Sequence, residues 1–79
     1  MARPERLISV NEVEQVVLEG DLIEDYPDDV RGHSCLLMAA PQGRPVHVVC
    51  SPRTEYLAII TTYLPDPTEW SPDFRRRAD

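Results

Sequence analysis

The chain contains no lysine: all eight of its basic residues are arginine. Every cation is therefore a planar fork suited to carboxylates or phosphates, although a genome rich in G and C would produce the same replacement without any function. No apolar run approaches the roughly 18 residues that a membrane span needs, and no signal peptide is recognisable. These absences predict a cytoplasmic protein without a membrane partner, whose thiols stay reduced. Cysteine is scarce as well. Cys35 and Cys50 permit one disulfide and no zinc site of their own, and they read as small buried residues.

Seventy-nine residues make one domain, because a chain this short buries only about 60% of its unfolded surface. Residues 1–7 read as a flexible arm, 8–64 as a helix-plus-sheet core, and 65–79 as a tail rich in proline and arginine. A subunit of this size gains stability by burying a sheet edge or an apolar face, which predicts a homodimer or a bound protein partner. Fourteen acids against eight arginines give a formal charge of −6. That balance counts against nonspecific nucleic-acid binding. The charge is polarised, with acids between Glu12 and Asp29 and three arginines at Arg75 to Arg77.

Ser9-Val10-Asn11-Glu12 has the pattern of a capping box, so a helix of about ten residues is predicted from there to Gly20. Val10, Val13, Val16 and Val17 form its apolar stripe, which must pack on a sheet because so short a helix does not persist alone. Four strands follow: Asp21 to Tyr26, an acidic edge with Leu22, Glu24 and Tyr26 on one face; His33 to Ala40; Val46 to Ser51; and Tyr56 to Leu64. Turn-forming residues separate them at 27–32, 41–45 and 52–53. The expected fold is α+β, one N-terminal helix packed on a four-stranded antiparallel meander. Trp70 and Phe74 are the anchors that would fold the tail back onto that body.

His47 is the candidate general base, a ring that titrates near neutral pH in the middle of a strand. Its alternative is a strand histidine satisfied by its neighbours. Side chains alternate faces, so the register of the last hairpin decides its company. An even-numbered loop places His47 with Tyr56, Ala58, Ile60 and Thr62, whereas an odd-numbered loop or a bulge places it with Leu57, Ile59, Thr61 and Tyr63. Tyr63 is the candidate acid or positioning group, with cross-strand packing as its plainer role.

Arg75, Arg76 and Arg77 beside Trp70 and Phe74 suit phosphate contact with stacking. Equally, they suit neutralising the acids of Glu12 to Asp29. Arg44 and Arg53 sit at turns. Cys35 and Cys50 would face one another across a two-residue Gln42-Gly43 turn. Glu24, Asp25, Asp28 and Asp29 lack the spacing of a calcium loop and read as a solvated edge. No metal or other cofactor is expected.

Several segments together resemble the bacterial family called domain of unknown function 4258: ISVNEVEQVVLEGDLIEDYP, GRPVHVVC and IITTYLPDPTEW. The resemblance extends from about Arg6 to Arg77. That family is similar in size and layout to RelE-like and BrnT-like toxin ribonucleases, and its members resemble the toxin half of a toxin and antitoxin pair. It implies metal-independent RNA cleavage, with an antitoxin and RNA as partners. His47, Tyr63 and the arginines of the tail fall at positions the resemblance covers; in such a reaction His47 would be the base, Tyr63 an acid or positioning group, and Arg53, Arg75 and Arg76 the phosphate binders. Family members carry a Ser-x-His-Ala segment before the first helix, and the sequence given starts after it. The competing reading is a noncatalytic interaction module, or a degenerate toxin, that pairs through its sheet edge with itself or an antitoxin.

Overall fold

Ser9 starts the helix as the capping box requires, in a computed structural model that describes residues 7–30 and 32–78. The arm expected over residues 1–7 lies outside the described residues except for Leu7. Ser9 Oγ accepts from the Glu12 N–H at 3.1 Å, and Glu12 Oε1 accepts from the Ser9 N–H at 3.0 Å. Two otherwise unpartnered donors of the first turn are thereby satisfied. Helix α1 runs Val10–Glu19.

Glu12 has a second task. Its carboxylate takes a forked contact from Arg44, Nε to Oε2 and Nη2 to Oε1, both at 2.9 Å. Arg44 is therefore a strut that ties the start of α1 to the turn before the third strand. The Arg44 guanidinium and then the Ser9 amide lower the Glu12 carboxyl from 4.5 to about 2. A carboxyl depressed by folding stabilises the protein above its unfolded value and loses that contribution as pH falls through the folded one. Between pH 4.5 and about 2, the urea midpoint should drop more steeply for the native chain than for Glu12→Gln. Parallel pH curves would remove this role from Glu12.

Gly20 closes the helix, but not through a left-handed conformation. Its φ of −70° and ψ of 160° are extended. The glycine is needed for space: a Cβ there would stand 2.3 Å from the Val16 carbonyl oxygen and 3.1 Å from that of Met38. The chain passes directly into the sheet.

Strands β1 (Asp21–Tyr26), β2 (Ser34–Ala39), β3 (Val46–Pro52) and β4 (Leu57–Tyr63) lie in the order β1-β2-β3-β4, each antiparallel to the next. The predicted α+β meander is the fold. β2 alternates buried and half-buried positions along its length, as expected of a strand covered on both sides. The register shifts between Leu22 and Glu24, with Leu22 opposite Leu37 and Glu24 opposite Leu36. Leu22 and Glu24 therefore face opposite sides, against the alternation expected of an unbroken strand, because a bulge at Ile23 inserts one residue.

On one face Val46, Val48 and Cys50 form the core with Val16, flanked by Val13, Val17, Leu37 and Leu64. Val13, Val16 and Val17 of the expected stripe thus find their sheet, whereas Val10, in the first turn, is left exposed. The opposite face is covered too. After β4 the chain turns at Asp66 to Glu69 and returns across this face as a strap, with Trp70 only 3% exposed.

The two edges of the sheet differ. β1 carries Asp21, Glu24 and Asp25 together with its bulge, which are devices that discourage further pairing. β4, LAIITTY, carries no charge, and beside it Leu57, Ile59 and Leu18 are exposed. Among the described residues no helix is long and apolar enough to cross a membrane.

Candidate functional site

Whether His47 meets Tyr63 depends on a bulge rather than on the turn. Pro52 pairs with Leu57, and the Arg53 N–H donates to the Tyr56 carbonyl at 2.8 Å, leaving an even-numbered loop of 53–56. Continued unbroken, that register would set His47 opposite Thr62. Instead Cys50 faces Ile59 while Val49 faces Thr61, so Ile60 is an extra residue in β4. Beyond it His47 pairs with Tyr63, and the two side chains share the face beneath the strap.

The His47 ring is 0% exposed. Its Nε2 lies 2.9 Å from the Phe74 carbonyl oxygen and its Nδ1 lies 3.3 Å from the Tyr63 hydroxyl. A carbonyl can only accept, so Nε2 carries the proton and Nδ1 accepts from the Tyr63 O–H. Trp70 meets the ring edge-on at 4.5 Å between centroids and 89°, and Tyr63 does so at 5.2 Å and 69°. Burial holds the imidazole below its usual value, only partly opposed by the Phe74 carbonyl. Burial likewise raises the Tyr63 phenol. Both groups are neutral at physiological pH. With both ring nitrogens engaged, the histidine has no site left for a substrate proton in this closed form.

The tail arginines divide. Arg75 Nη2 donates to Asp21 at 2.6 Å. Arg77 donates to Glu24 from Nε at 3.2 Å and Nη2 at 3.3 Å, and its guanidinium lies 4.7 Å over the Trp70 ring. Hydrogen bonds to Tyr26 and then Glu24 hold the Arg77 charge even more firmly than usual. Arg76 has no side-chain partner among the described residues; its backbone joins Ser71. Arg77 thus takes the acid-neutralising role that the sequence offered for the three arginines together, without showing which of them would stack on the indole. Only the path of the strap makes that selection.

Arg53 stands apart from this group. It follows β3 on the turn, six positions along from His47, about 20 Å at strand rise, and a Cβ on Gly32 would come 3.2 Å from its Nη1. The structure thus brings His47, Tyr63, Arg75 and Arg77 to one face, gives the Arg76 side chain no contact there among the described residues, and leaves Arg53 at the far end of the sheet. Most acids of β1 and its following turn are engaged: Glu24 with Arg77 and the Tyr26 hydroxyl, Asp25 with His33, and Asp29 with Ser34 at 2.7 Å.

Cys35 and Cys50 face one another across β2 and β3 with sulfurs 3.6 Å apart, both as free thiols. The six residues 40–45 connect these strands rather than two, and the parity is the same. Burial, and then Cys35 beside it, pushes the Cys50 thiol up. A buried thiol held protonated is a poor nucleophile. Among the described residues no three His, Cys, Asp or Glu side chains converge as a metal site.

These features define a small α+β domain, a single helix on a four-stranded antiparallel meander with a histidine sealed under a C-terminal strap. The family model of a domain of unknown function (DUF4258) matches residues 1–64, and the chain belongs to that family. The match contains the helix and all four strands and ends at residue 64, short of Trp70 and of the Arg77 to which the resemblance was expected to extend. No curated protein and no solved structure matches the chain significantly.

Proposed function

We propose that the chain, in its strap-closed form, is a protein-interaction module that receives a partner's strand at β4. The observation that carries this reading is the unguarded edge of the sheet. A seven-residue strand without charge exposes its unpaired backbone groups, and Leu18, Leu57 and Ile59 lie exposed along its helix side. Such an edge is a template for a further strand. An antitoxin-type protein suits it, as does a second copy.

The nuclease reading has one observation in its favour: His47, Tyr63 and the arginine-bearing strap share a face. His47 would be the base, Tyr63 the acid or positioning group, and Arg75 and Arg76 the phosphate binders. Its difficulty is that the same movement serves two opposed needs. Lifting the strap exposes His47 but carries the arginines away, leaving Asp21 and Glu24 to repel phosphate.

Induced expression in a bacterial host separates the two. The module leaves growth and transcripts intact, and Ile59→Lys abolishes copurification with the co-expressed product of the adjacent gene. Growth arrest with cut messenger RNA, relieved by Tyr63→Phe as well as by His47→Ala, would overturn the module and establish the nuclease.

A further inference from the structure

The strap is built as a separable piece. Its backbone hydrogen bonds are largely its own: the Ser71 N–H to the Arg76 carbonyl at 2.7 Å, the Phe74 N–H to that of Ser71 at 2.8 Å, and the Ala78 N–H to that of Glu69 at 2.9 Å. Trp70 and Arg77 form its closing bridge, and Phe74 sits at its tip with φ of 60°. It is a small hairpin, joined to β4 through Pro65-Asp66-Pro67.

What holds this hairpin to the sheet is a set of recognition contacts. An indole lies edge-on to the His47 ring. A guanidinium stacked on that indole forks onto Glu24, and a second one reaches Asp21. One main-chain carbonyl satisfies His47 Nε2. The receiving groups, Asp21, Glu24 and His47, all lie within the residues matched by the family model, and the whole hairpin lies outside it.

We infer that the sheet face centred on His47 and rimmed by Asp21 and Glu24 is a peptide-binding surface that its own strap occupies in cis. The ligand it takes in trans is a turn-forming polypeptide segment of a partner protein that presents a tryptophan with arginine stacked upon it. Charge decides the class of ligand. Once the strap leaves, the exposed rim is acidic, which attracts arginine and repels a nucleic-acid backbone. This surface is distinct from the β4 edge and does not depend on it.

A synthetic peptide of residues 66–78, labelled at its N-terminus, is the probe. In the native chain the tethered strap competes at an effective concentration of the order of millimolar, so the peptide should bind at least ~10-fold more weakly to it than to full-length Trp70→Ala. Glu24→Ala in the Trp70→Ala chain, or alanine in place of tryptophan in the peptide, should each weaken binding by at least ~3-fold, about one charge-assisted or aromatic contact. Should Trp70→Ala not fold, Arg75→Ala/Arg77→Ala loosens the strap through two exposed side chains and leaves the indole in place. Absence of peptide binding by an opened variant that retains its circular dichroism would overturn the assignment. So would equal binding of the tryptophan-free peptide, or preference of the opened chain for polyuridylate over the peptide.

Discussion

Trp70→Ala is expected to lower the unfolding free energy by about 3–5 kcal/mol, the usual cost of deleting a buried tryptophan. The indole is 3% exposed and packs between the His47 ring and the Arg77 guanidinium, so nothing nearby can collapse into the space without the strap moving. Domains of this size hold only about 5–15 kcal/mol in total, which makes a single side chain outside the family match a large share of the whole. Urea unfolding measures the loss. A companion signal is the titration of His47 by NMR: with the cover removed, its pKa should rise toward the ordinary value of 6.5 from its depressed position. A stability change below about 1 kcal/mol with an unmoved His47 titration would mean that the strap contributes little to closing this face.

The second large effect has a sign opposite to helix propensity. Alanine is favoured over glycine by about 1 kcal/mol within a helix, yet Gly20→Ala should destabilise by about 2–3 kcal/mol, in the range of overpacking. The added methyl would stand 2.3 Å from the Val16 carbonyl oxygen and 3.1 Å from that of Met38. Both neighbours are backbone, one in the helix and one in β2, and neither can rotate aside. A thermal midpoint equal to or above that of the native chain would show that the helix–strand junction has room the geometry denies.

Local chemistry made most of the fold legible. Ser9 and Glu12 mark the helix start by side-chain bonds three residues apart, and the valine spacing marks its buried stripe. Glycine at position 20 was legible as an ending, but its reason was not, because the clash involves Met38, eighteen positions later in the chain. The bulges at Ile23 and Ile60 were equally hidden: each is a property of two strands fitted together, and isoleucine at either position is an ordinary strand residue. The bulge at Ile60 had the largest consequence, since it alone turns Tyr63 toward His47 and makes a pair of two residues that the even-numbered loop would separate. The particular partners of Arg44 and Arg77 were hidden for another reason. An arginine at a turn or in a run of three acquires a role from whichever carboxylate the fold brings near, and Glu12 and Glu24 are 32 and 53 positions away from them.

The unlike edges of the sheet bear on how far any assembly can grow. A meander with two open edges could add copies at both ends and extend into a fibre. Among the described residues β4 is the uncharged edge, while β1 ends in Asp21, Glu24 and Asp25 with a bulge between. Two chains joined β4 to β4 would consume both open edges and turn an acidic border outward on each side. Association of copies through this strand would therefore stop at two.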